Sequence, residues 1–200
     1  MNNLSYYLAL NRMERVGPRT VAKLQKRWPD LQQMFQLSEI ELEQAGLSSA
    51  LAQTIAGFDL NLIQEDLNWL AAADEHHILT WDSPEYPALL KEITDPPVVL
   101  YAKGQLACLK QPTLAVVGSR NPTITGSENA RQFAKAIASH GITIVSGLAL
   151  GIDAEAHQGC LDARGQTIAV LGTGIDQIYP YRHRGISLQI AQTGLLANSH

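Results

Sequence analysis

From residue 113 onward, short apolar runs alternate with amphipathic stretches, and each apolar run ends in a glycine loop. Residues 113–118 read TLAVVG, 142–147 read ITIVSG and 167–172 read TIAVLG. Between the first two, Ala130, Phe133, Ala134, Ile137 and Ala138 recur at helical spacing; between the second and third, Ile152, Ala156, Cys160 and Ala163 do the same. Continuously apolar strands suit positions covered on both faces. Strand, helix and strand in succession with short connections predict right-handed crossovers and an α/β fold built on a parallel, Rossmann-like, doubly wound sheet.

Upstream the period changes. VGPRTVAKLQKRW carries a Gly-Pro turn, then Val21, Leu24 and Trp28 at helical spacing. Ser38 with Glu41 three residues on reads as the start of a helix that breaks at Gly46, followed by a second helical run over 47–56. Residues 71–112 hold two strand-like runs, HILTW (77–81) and VVLYA (98–102). Pro84, Pro87, Pro96 and Pro97 keep the segment between them from forming one long helix. The predicted organisation is a small all-α domain over 1–70, a connecting segment with strands over 71–112, and a Rossmann-like domain over 113–200.

Composition sharpens this picture in three places. Hydrophobic residues make up 46% of the 200, enough for a substantial core. No apolar run approaches the length of a membrane-spanning helix, and the start lacks the basic region of a signal peptide. Cys108 and Cys160 form no disulfide framework and read as small buried residues of a reducing compartment, so a cytoplasmic location is expected. The net charge of −4 gives no global footprint for nucleic acid. Arg12, Arg15, Arg19, Lys23, Lys26 and Arg27 nevertheless cluster against Glu14 alone, either as a solvated helix face or as a polyanion contact.

The chemistry concentrates in the glycine loops, GSRNPTITG, SGLALGID and GTGID. Parallel geometry places all three at the carboxyl edge of one sheet, where open α/β folds bind ligands. Helices opening near Ser127 and Asp153 would favour an anion there, and Arg120 offers a fork of donors for a phosphate. A dinucleotide fingerprint is absent, because Gly118 is followed by Ser119, Arg120, Asn121 and Pro122 and the second strand ends in Ser146 and Gly147. The phosphate-binding loop of NTPases is absent as well. Asp153 and His157, four apart, fit a helix-capping Asp and a hydrogen-bonded His better than a metal site. Ser119 has no evident base, His76 and His77 are expected to face solvent, and Tyr179, Pro180 and Tyr181 offer a surface for packing or for stacking on a base. No catalytic residue, metal or cofactor is expected.

Taken together, YPALLKEITDPPVVLYAKG (86–104), AVVGSRNPTITG (115–126), IVSGLALGIDAEAH (144–157) and TIAVLGTGIDQIYP (167–180) resemble the DNA-processing DprA/Smf family in order and spacing. The leading helices resemble that family's sterile-alpha-motif-like domain, and VGPRTVAKL resembles a helix-hairpin-helix turn. The resemblance implies a non-catalytic protein that binds single-stranded DNA without sequence preference, protects it in natural transformation and loads the RecA recombinase. It places phosphate contacts at Gly118, Ser119, Arg120, Gly126, Ser146 and Gly147, with Arg120 foremost. Secondary contacts are expected at Arg15, Arg19, Lys23, Gly172 and Gly174.

The family's Rossmann-like domain runs on beyond the third glycine loop. Here His183, Arg184 and Gly185 stand where an asparagine is usual, and Asn198, Ser199 and His200 replace a serine-glutamate pair. This divergent tail reads as a truncation that leaves the first strand uncovered, with impaired homodimerisation and recombinase loading. Two other readings stay open at this point. One is a nucleotide-binding sensor or hydrolase; the other is a protein-interaction module with a vestigial pocket.

Overall fold

The computed structural model describes residues 3–175 and 180–199. The chain forms two compact units: Met1–Ala73 with Thr80–Val99, and Asp74–Leu79 with Leu100–His200. Among the described residues no helix is long and apolar enough to cross a membrane.

The first unit is helical: α1 (Leu4–Arg12), α2 (Pro18–Arg27), α3 (Leu31–Phe35), α4 (Glu39–Gln44), α5 (Ser49–Ala56), α6 (Gln64–Ala71) and α7 (Ala88–Lys91). Pro18 opens α2 at a position where its missing N–H would have been unpaired anyway. Val21 and Leu24 turn inward from α2, while Lys23, Lys26 and Arg27 stay exposed. The capping box expected at α4 is present: the Glu41 amide donates to Ser38 Oγ (3.3 Å) and the Ser38 amide to the Glu41 carboxylate (2.8 Å). Gly46, at φ +87°, follows that helix in a left-handed conformation. Tyr7, Leu8, Leu10, Leu31 and Met34 are fully buried and form the centre of this unit's core.

In the second unit lie all but one residue each of β1 (His76–Thr80) and β2 (Val99–Gly104), together with β3 (Thr113–Ala115), α8 (Ile124–Ala138), β4 (Thr143–Ser146), α9 (Ile152–Asp162), β5 (Thr167–Val170), α10 (Arg184–Thr193) and β6 (Leu195–Asn198). The six strands form one sheet in the order β1-β2-β6-β5-β4-β3. Strands β3, β4 and β5 are parallel, as the sequence predicts; β6 extends that parallel set beyond β5, and β2 adds to β6 antiparallel with Tyr101 opposite Asn198. One core cluster joins Ile144 to Ala134, Ala138, Ala156 and Cys160 of α8 and α9; another joins Ile168 and Leu195 to Ala102 and Cys108. Both cysteines are buried as expected, and burial raises both thiols, Cys160 to about 11.

Three expectations are corrected. Residues 195–198, where the sequence reading places no element, form β6, whose apolar Leu195 and Leu196 sit buried between β5 and β2. Phe133 does not join the buried stripe of α8; it is 67% exposed. The helix turns Ala130, Ala134 and Ala138 inward, because α8 and α9 meet where Gly159 has no Cβ to clash with the Arg131 carbonyl. His76 and His77 are half-buried within β1, with His77 Nε2 bonded to the Gly104 carbonyl (3.1 Å). Strand β3 is also unlike its parallel neighbours: it ends the sheet, and all three of its residues are exposed.

Candidate functional site

Because β3 to β6 run parallel, the loops that leave them gather at one edge of the sheet. The first loop rests on the start of α9. The Ser119 carbonyl accepts the Ile152 amide (3.1 Å), and Ser119 Oγ accepts the Asn121 amide (3.1 Å). This approach requires glycine twice. A Cβ on Gly118 would come within 2.7 Å of the Ile152 side chain, and one on Gly151, at φ +80°, would collide with the backbone of Ser119 and Arg120. The amides of Gly118, Ser119 and Arg120 donate to no described residue, and the Arg120 side chain makes no hydrogen bond or ion pair with one. All three residues are exposed. Three consecutive uncommitted N–H groups beside a guanidinium form a surface suited to a phosphate.

The second loop is built differently. Ser146 Oγ donates to the Val116 carbonyl (2.6 Å), and the Gly147 amide donates to Asp153 Oδ2 (3.2 Å). Those donors are therefore engaged inside the protein and shape the loop. The same holds for Gly126, whose amide donates to Thr123 Oγ1 (3.1 Å) as part of the α8 cap. Leu148 follows, fully buried in a left-handed conformation at φ +57°, and its carbonyl accepts His183 Nδ1–H (2.9 Å). In the third loop, Asn198 Nδ2 donates to the carbonyls of Leu171 (3.1 Å) and Thr173 (2.6 Å). Gly172 and Gly174 remain exposed there.

The helix starts differ in what they offer an anion. Helix α8 begins at Ile124, one turn before Ser127, and carries no acidic residue in its first turn. By contrast, α9 opens with Asp153 and Glu155, which already answer its partial positive charge. Asp153 and His157 reach different partners. Thr167 Oγ1 donates its proton to the Ile144 carbonyl (2.8 Å), so the buried His157 must donate from Nδ1 to that oxygen (2.7 Å). Burial first, and His183 second, push the His157 imidazole down to about 4. It is neutral near pH 7. No group of three or more potential metal ligands occurs among the described residues.

The other candidates fall in the first unit or near the third loop. Arg19 forms a two-pronged ion pair with Asp95 (2.7 and 3.1 Å), and Arg12 holds Asp66 (2.8 Å). Arg15 and Lys23 are exposed. Tyr181 is exposed too, whereas Tyr179 and Asp176 lie outside the described residues. Sequence reasoning missed His183 and Asn198 as loop supports, since their contacts span 35 and 27 residues. Thr123, three residues before Gly126, carried a local cap signal that could have been found.

Comparison with known proteins agrees on one kinship. Along the sequence the chain is 39% identical to protein Smf of a Synechocystis species over 98% of its own length and 50% of that protein's. It is 40% identical to the DNA processing protein DprA of Bacillus subtilis over 66% of this chain and 45% of that one. The chain thus spans about half the length of these curated relatives. In structure it matches DNA processing protein A of Streptococcus pneumoniae with a TM-score of 0.77 and 27% identity, over 100% of this chain and 68% of that one. It also matches the Helicobacter pylori DNA processing protein A, described for its single-stranded DNA binding mode, with a TM-score of 0.55 and 31% identity over 62% and 56%. Residues 77–199 match the sequence pattern described as DNA recombination-mediator protein A. The chain belongs to the DNA recombination-mediator protein A family, the DprA/Smf proteins.

Proposed function

We propose that this chain binds single-stranded DNA through its backbone phosphates at the first glycine loop, without catalysis. The carrying observation is the uncommitted donor set of Gly118, Ser119 and Arg120 on the exposed sheet edge. Arg120 is the principal phosphate contact in this reading. Ser146, Gly147 and Gly126 act through the shape of the loops, and Gly172 and Gly174 leave the third loop open for close approach of a strand. The Helicobacter pylori relative, described as binding single-stranded DNA, supports the choice of polymer. The family's description as a recombination mediator supports the further reading that the strand is passed to the RecA recombinase.

Fluorescence anisotropy of labelled oligo-dT at low and physiological salt tests this, with duplex DNA and mononucleotides as competitors. The expected result is salt-sensitive binding that prefers the single strand, with Arg120→Ala at least about tenfold weaker and its salt slope reduced by about 0.7. Competition by mononucleotides as effective as by oligo-dT would move the site to the nucleotide-sensor reading. Equal binding by wild type and Arg120→Ala would place the DNA contact elsewhere.

A further inference from the structure

The turn Tyr181–His183 that leads into α10 has one inward and two outward positions. His183 is buried and its Nδ1–H donates to the carbonyl of Leu148 in the second glycine loop (2.9 Å). That bond ties the turn to the same sheet edge as the uncommitted amides. Tyr181, two residues earlier, is 75% exposed, although a tyrosine ring has ample apolar surface to bury. The Arg184 guanidinium sits 5.9 Å from the centroid of its ring and its Nη1 donates to the phenol oxygen (3.5 Å), while Arg182 is exposed alongside. An exposed ring steadied by one arginine and flanked by another has the composition of a stacking platform for single-stranded nucleic acid. Neither arginine forms an ion pair with a described acid.

We infer that Tyr181, flanked by Arg182 and Arg184, is a nucleobase-stacking subsite, anchored to the second glycine loop by His183. This rests on the single-stranded DNA reading and adds a base contact to it. The division of labour is chemical: Arg120 and its neighbouring amides take phosphate, and Tyr181 takes the face of a base. Because every base has such a face, the subsite adds affinity without sequence preference.

Two probes of equal length separate the roles: oligo-dT, and an abasic tetrahydrofuran oligomer that keeps the phosphodiesters and lacks the bases. Wild type is expected to bind oligo-dT about tenfold more tightly than the abasic strand. Tyr181→Ala should erase that preference by weakening oligo-dT alone, and Tyr181→Phe should retain it. Arg120→Ala should weaken both strands. Since Tyr181 is exposed, its removal leaves the fold intact, which the melting curve checks. Equal wild-type affinity for both strands, or a preference that survives Tyr181→Ala, overturns the subsite while the phosphate reading stands. Failure of wild type to bind either strand overturns both.

Discussion

The basic run of the first unit and the glycine edge of the second were both legible as places for a polyanion, yet the structure treats their cations in opposite ways. In the first unit Arg12 is held by Asp66, Arg19 by Asp95, and Arg27 lies over the Trp28 ring at 4.8 Å. In the second, Arg120 stands with no partner among the described residues, beside amides that are equally uncommitted. Six basic residues within a short stretch thus give less available charge than their number suggests. A single arginine with a prepared backbone offers more to a phosphate, because no existing ion pair has to be broken.

The largest effect should separate stability from binding. Asp66 is buried and holds the partly exposed Arg12 with two hydrogen bonds, so Asp66→Ala is expected to destabilise the first unit by about 2 kcal/mol in a denaturant melt. Oligo-dT affinity should stay unchanged wherever the protein is folded. A comparable loss in the second unit comes from acid. His157 protonates at about 4 when folded against an ordinary 6.5, so between those values the unfolded chain holds the extra proton. Stability is full above about pH 6.5 and falls by roughly 3 kcal/mol as the pH drops towards 4. Melts of wild type and His157→Gln across that range check it: the glutamine variant should lose this part of the slope.

Next in size, His183→Leu removes the bond to Leu148 and should weaken oligo-dT binding about fivefold, with the salt slope unchanged because no phosphate contact is lost. His183→Asn, which places an N–H donor near the same position, should recover most of the affinity. A reduced salt slope in His183→Leu would instead mean that the imidazole touches the strand. The smallest effect sharpens the contrast between the two cation sets. Arg19→Ala should change oligo-dT affinity by less than about twofold, because an exposed pair with Asp95 engages that side chain. A tenfold loss there would make the helical unit a DNA contact in its own right.

Local signals in the sequence were read correctly where the physics is local. The capping box of Ser38 and Glu41 is one instance, and the parallel order of β3, β4 and β5 is another, since short crossovers of one hand leave few alternatives. Residues 195–198 were passed over because four residues, LLAN, are too few to show a period. Their place as a central strand depends on two partners, β5 and β2, from distant parts of the chain. Phe133 was misplaced for a related reason: helical spacing marks a stripe, but the closeness of α8 to α9 decides how wide that stripe is.

The sequence by itself determined the alternation of strand and helix, the three glycine loops and the arginine within the first of them. Each depends on backbone freedom, hydrophobic period or capping within a few residues. Only the tertiary structure decided which donors are available. It engaged the amides of Gly126 and Gly147 and the hydroxyl of Ser146 internally, left the amides of Gly118, Ser119 and Arg120 without a described partner, and brought His183 and Asn198 to loops 35 and 27 residues away. Hydrogen-bond partners are chosen by distance in space, and no spacing along the chain encodes that choice.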